Sequence, residues 1–248
     1  MPVCAGVLSL DDYLNEEQRR TRTSRKLLEQ DICLLHKLED AYKKWLTRKE
    51  TYHAAEIIYF SFCCLAHASF LHSVGSFLRH HTAEALSSTR TAVDATFNAV
   101  MVDSGLLTEE EYLTGSTKVE TLPRQIRNAD KAKKPVPEGA SRLLNMRSSL
   151  SSIGAHADVR AALSERWHGR GATVHFDYFQ RPADDERFRS YFIQIIWTHQ
   201  YCLAEFISIA RDRGDHVSDI IDTLADWDRR ALARLKTLQD QIGLEILQ

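Results

Sequence analysis

Two histidine–carboxylate pairs are the residues best suited to chemistry: His156-Ala157-Asp158 and His175-Phe176-Asp177. An imidazole exchanges protons near neutral pH, and a nearby carboxylate can orient its ring. Arg147, Arg160, Arg166 and Arg170 lie around the pairs. A guanidinium holds phosphate or carboxylate through paired hydrogen bonds. If this segment folds back on itself, both histidines line one polar pocket. The competing reading makes the same residues helix caps and loop ties, and Asp158 suits the first turn of a helix.

Other constellations are weaker. His53 with Glu56, and His80 with Glu84, have spacings that share a helical face, as metal sites in bundles require. There is no HExxH, no repeated ExxH and no cysteine pair, and His67 and His72 do not converge on a helix. The expectation is therefore no metal and no cofactor, with His67 a satisfied core histidine and His80 and His81 solvated near a helix end. Ser148, Ser149, Ser151 and Ser152 precede His156 without a G-x-S-x-G elbow. Gly169-Arg170-Gly171 lacks the Lys-Ser/Thr pair of a phosphate loop. Arg124, Arg127, Lys131, Lys133 and Lys134 form a basic run opposed only by Asp130. It could meet phosphate or an acidic partner, but it carries no aromatic residue for base stacking.

The stretch Leu150-Ser151-Ser152-Ile153-Gly154-Ala155-His156 resembles the helix-end Ser-x-x-x-His of some bacterial HEPN-like helical proteins. Nucleases of that family use an arginine, four to six intervening residues and a histidine to position phosphate and cleave RNA without metal. Arg170-Gly171-Ala172-Thr173-Val174-His175 has an allowed spacing, with Gly171 where a polar residue is usual. The resemblance covers residues 138–210. It implies an RNase, or a degenerate RNA-associated bundle, with His175 as acid/base, Arg170 on phosphate and His156 assisting. Arg147, Arg160, Arg124 and Arg127 would add phosphate or ligand contacts.

The elements that must position these groups read as helices. The chain has 248 residues, 44% hydrophobic, with net charge -2. Mean hydropathy is -0.34. No global charge favours nucleic acid or membrane. Five scattered cysteines suit a reducing cytosol, with thiols packed as small hydrophobes. The opening MPVCAGVLSLDDYL lacks the pattern of a signal peptide. The stretch Tyr52 to His81 carries no Asp, Glu, Lys or Arg between Ile57 and Leu78. Its serines and histidines argue for a buried central helix over a membrane span.

Around it the pattern predicts a first helix capped near Ser9, and a long one from Lys26 through Leu28, Ile32, Leu35, Leu38, Tyr42 and Trp45. Further helices are expected from Thr82 to Asp103, after the capping box Thr108/Glu111, between Lys118 and Ala132 with the start placed after Pro123, from Glu138, and from Ala157 to Trp167. Residues 169–179 read as loop, because no partner strand is evident. Two final helices follow, one starting near Pro182 and one capped by Asp215 or Ser218. The expectation is an all-α, multi-helix bundle with a buried central helix and an irregular loop-rich segment. It forms a single domain over 1–248, with a possible internal boundary near 115–139.

Function divides three ways. The leading reading is a cytoplasmic helical interaction protein, RNA- or defence-associated, with a protein partner or self-association and no membrane. The alternatives are a metal-independent HEPN-like ribonuclease and a metal- or small-ligand-binding bundle. The enzyme question stays open at this level.

Overall fold

The computed structural model describes residues 4–5, 9–48, 54–152, 167–170, 173–176, 179 and 184–242. The fold is an all-α, multi-helix bundle carrying a small sheet. In chain order the helices are α1 (Leu10–Leu27), α2 (Ile32–Leu46), α3 (Ala54–Leu78), α4 (Thr82–Asp103), α5 (Glu109–Leu113), α6 (Thr117–Lys131), α7 (Ala140–Ser152), α8 (Asp185–Asp212) and α9 (Ser218–Ile242). The strands are β1 (Cys4–Ala5), β2 (Trp167–Arg170) and β3 (Thr173–Phe176).

Local sequence accounts for most boundaries. Ser9 caps α1 by accepting from the Asp12 N–H at 3.1 Å. The expected long helix from Lys26 breaks at residues 28–31, where Leu28 and Asp31 are buried at the joint. Asp31 is fully enclosed and meets Arg234 of α9 at 2.6 Å. Thr108 and Glu111 complete both halves of the capping box on α5. Helix α6 runs through Pro123 rather than starting after it. The proline removes one backbone hydrogen bond, but Leu122 and Ile126 stay buried beside α7, and that packing holds the helix together.

Helix α3 is the organiser, packing against α1, α2, α4 and α8. Phe62, Phe70 and Phe77 lie on its inner side and are almost wholly buried. Phe77 stacks on Phe188 of α8 with centroids 4.5 Å apart, and Phe70 meets Tyr42 of α2 at 5.4 Å. Helix α4 turns buried Ala85, Thr89, Ala92, Val93, Thr96, Phe97 and Val100 inward, and its small side chains sit close to α3. Helix α9 closes the opposite side against α8 and α2, where the Trp227 Nε1–H donates to the Leu34 carbonyl at 2.7 Å.

Two findings refine the expectations here. First, the central helix α3 packs against four helices, as expected, but keeps one open side. Ile57 is 56% exposed and Leu71 50% exposed, and Cys64, Leu65 and Ala68 lie on the same open side. Second, residues 173–176 are a strand and not loop. The partners come from far away in sequence and next door: β3 pairs in parallel with β1 and antiparallel with β2. A two-residue β1 at the start of the chain carries too little pattern to be recognised as a partner.

Candidate functional site

The structure places the sequence-predicted site residues in different settings. Arg170 and His175 belong to one hairpin, where Arg170 is the register partner of Thr173 and His175 that of His168. His156 and Arg160 lie outside the described residues, as does Arg166. Arg147 meets Asp94 at 2.7 Å and ties α7 to α4. Burial pushes the Asp94 carboxyl up, and the Arg147 and Arg90 guanidinium groups beside it offset part of that rise. Arg127 donates to Ser148 Oγ at 2.6 Å and joins α6 to α7. Arg124 is exposed, along with Lys131, Lys133 and Lys134. Two of the four proposed arginine contacts, Arg147 and Arg127, are thus helix ties.

The residues the fold does bring together stand where α3 turns into α4. His80 and His81 are buried there, and the expectation that they are solvated is overturned. The chain leaves α3 through a Schellman turn: the His80 N–H donates to Phe77 O at 2.9 Å and the His81 N–H to Ser76 O at 2.9 Å. The left-handed position of this turn favours glycine, yet His80 occupies it with φ +67°. Its side chain accounts for the exception. Arg20 Nη1 donates to His80 Nδ1 at 2.8 Å, so His80 Nε2–H donates to the buried Ser24 Oγ at 2.9 Å. Both ring nitrogens are used by α1, which leaves none for a metal with Glu84.

His81 turns the other way. Its Nε2–H donates to Glu17 Oε1 at 2.8 Å, with the Tyr13 hydroxyl 3.1 Å from the same nitrogen. Burial, then the Glu17 charge, holds the Tyr13 proton more tightly than usual. Arg79 Nε donates to Gly75 O at 3.1 Å and stands 3.9 Å from Glu17 Oε1. Phe179 covers this corner, stacked on Tyr13 at 5.3 Å and tilted against His81 at 5.3 Å. The Arg20 guanidinium lies 4.5 Å above the Phe179 ring and pairs with Glu16 at 2.8 Å. Three consecutive residues, Arg79-His80-His81, meet Tyr13, Glu17, Arg20 and Ser24 at helical spacing on α1. The sequence signal was that spacing on α1, which is invisible until the α3–α4 corner is placed on it.

A second histidine site lies in the core. His199 of α8 is fully buried, with Nε2 2.9 Å from Ser73 Oγ on α3. Ser73 donates its own proton to Phe70 O at 2.9 Å, so His199 Nε2–H is the donor to Ser73. Nδ1 then has no partner among the described residues. Burial, and secondly the nearby His67, pull the His199 pKa down to about 3. His67 itself lies beside the stacked rings of Tyr42 and Phe70, and its buried Nε2 has no hydrogen-bond partner among the described residues, so it is not the satisfied core histidine expected. His72 is exposed. Of the other pair with helical spacing, His53 lies outside the described residues. Among the described residues, no group of three or more His, Cys, Asp and Glu side chains could hold a metal ion. Cys63 and Cys202 are packed as small hydrophobes, whereas Cys33 and Cys64 are exposed.

The third feature is the open face of α3. Ile57, Ser61, Cys64, Ala68 and Leu71 are exposed and follow one another at four, three, four and three residues. That is the seam spacing of one helix laid along another. Residues Glu56–Leu78 are long and apolar enough to cross a membrane, and half of that window is buried in the bundle. Compared with protein-family profiles, curated proteins and solved structures, the chain matches none.

Proposed function

We propose that this chain is a helical interaction protein that meets a second copy of itself along the open face of α3. One observation carries the reading: five exposed residues at alternating four- and three-residue spacing, on a helix without a charged residue from Ile57 to Leu78. A two-fold axis sets the same patch against itself. An uncharged seam survives that operation, because no like charges come to oppose each other. Ser61, Cys64 and Ala68 let two backbones approach, and Ile57 and Leu71 supply apolar area at the two ends.

The test is the mass of the native protein across a dilution series, with Leu71→Glu as the variant. Leu71 is half exposed, so the substitution leaves the bundle core intact. A dimer that dissociates at least about tenfold more readily in Leu71→Glu supports the reading. Gentle oxidation sharpens it: a disulfide-linked dimer that forms in Cys33→Ser and vanishes in Cys64→Ser places α3 against α3. A wild-type protein that stays monomeric at all concentrations overturns it. So does a monomer that binds lipid vesicles through Leu71.

RNA association is a second reading, favoured by the exposed Arg124, Lys131, Lys133 and Lys134. It predicts oligonucleotide binding that weakens steeply with salt and is lost when these four are neutralised. Binding indifferent to salt would remove it.

A further inference from the structure

We propose that the corner of α1 and the α3–α4 turn is a binding site for a phosphate group carrying a free P–OH, either inorganic phosphate or a phosphomonoester. The argument starts from what is used and what is left. His81 spends Nε2 on Glu17, and its Nδ1 makes no hydrogen bond among the described residues and is not sealed from solvent. Arg79 spends Nε on Gly75 O, and its two terminal nitrogens carry no hydrogen bond among the described residues. The Arg79 side chain is 40% exposed. Both groups approach the same Glu17 oxygen, His81 at 2.8 Å and Arg79 at 3.9 Å, so one carboxylate ties the two side chains to the same corner.

The two free ends are complementary to one kind of ligand. A guanidinium fork takes two phosphate oxygens. An imidazole with its far nitrogen on a carboxylate has its near nitrogen aimed and its tautomer fixed. Neutral, that nitrogen accepts from P–OH. Protonated, it donates to P–O⁻, with Nε2–H still on Glu17. A diester offers no P–OH and at most one negative charge, and a triester none.

The surroundings hold these groups in place. On α1, Glu16 pairs with Arg20 and Arg19, and Arg20 with His80. Glu84, in the first turn of α4, is among the charges around Tyr13. Glu17 is matched by His81, Tyr13 and Arg79, so a bound anion does not face a bare carboxylate. The positive end of α4 starts at Thr82 and adds in the same direction. The left-handed His80 belongs to the same frame: its ring, held by Arg20 and Ser24, anchors the turn that carries Arg79 and His81.

The experiment follows the histidine ring signals by NMR during titration with inorganic phosphate, O-phosphoserine, dimethyl phosphate and, at matched ionic strength, chloride. The His81 signal is assigned with His81→Asn. Saturable shifts of that ring with phosphate and O-phosphoserine, with dimethyl phosphate and chloride far weaker, are expected. Arg79→Ala should weaken phosphate at least about tenfold while the unfolding transition stays unchanged. If phosphate alone saturates, the ligand is the free ion; if O-phosphoserine binds at least as well, it is the monoester, and either supports the site. No saturable shift, an equal response to chloride, or an Arg79→Ala affinity equal to wild type overturns it.

Discussion

Helix α3 serves two histidines at opposite ends of the polarity scale. In the core it offers His199 a hydroxyl, Ser73, and nothing charged. At its C-terminal corner the chain sets His81 against a carboxylate, Glu17, with Arg79 alongside. Both imidazoles donate through Nε2, at 2.9 Å and 2.8 Å. The difference lies at Nδ1. In the core it stands against Phe70 and has no partner among the described residues; at the corner it has none either, but it is not sealed off. A hydroxyl partner in a dry site fixes a neutral ring, and burial makes its charging expensive. A carboxylate partner at the corner fixes the same tautomer while leaving Nδ1 open to a ligand. Placement, rather than the hydrogen bond as such, separates a packing histidine from a chemical one.

The largest expected effect comes from acid. The folded-state pKa of His199, about 3, lies below its ordinary 6.5, so between those values the unfolded chain binds the extra proton. Its contribution to stability is therefore fully present above pH 6.5 and is lost as pH falls toward 3. Comparing wild type with His199→Leu by urea unfolding at pH 7.5 and 4.5, the wild type should lose about 2–3 kcal/mol more. Equal losses would mean that the ring is charged in the folded core.

At the corner, His80→Ala should cost about 2 kcal/mol, because buried Ser24 and Arg20 each lose a partner. His80→Gly loses the same bonds but relieves the left-handed backbone, so it should be milder by about 1 kcal/mol. Two equal values would show that the turn is not strained. Ser73→Ala strands the buried His199 N–H and should cost about 1–2 kcal/mol in the same assay. Glu17→Gln is the smallest, within about 0.5 kcal/mol, since the Gln amide oxygen can still accept from the His81 Nε2–H. A larger cost for Glu17→Gln than for Ser73→Ala would reverse the comparison and make the corner the structural site.

Much of the fold was legible in sequence because it is periodic. The stripe of α4, the capping box at Thr108 and the apolar face of α8 are statements about neighbours three and four residues apart, which a sequence displays directly. The α6 start was misplaced because a proline's local cost is visible, whereas the burial of Leu122 and Ile126 that outweighs it is not. The open side of α3 was hidden for a similar reason. A charge-free helix looks the same whether neighbours cover it fully or in part. The histidine corner was the least legible. Tyr13 and Glu17 are spaced for a helix face and His81 ends a run of histidines, but nothing local says that positions so far apart meet. His156 and His175 stand out instead, because a histidine and an aspartate one residue apart make a pair visible without a fold.

The short parallel pairing of Cys4–Ala5 with Val174–His175 has a consequence for the order of assembly. It closes a loop that contains seven of the nine described helices, and two residue pairs return little for the entropy of bringing such distant segments together. Only a bundle already packed, with α1 docked through Ser24 and Arg20 on His80, shortens that search to a local one. The sheet is thus a latch that can engage only after the helices are home. Phe179, three residues beyond β3, lies against Tyr13, so the state of the latch is written on the same corner where His81 waits for a ligand.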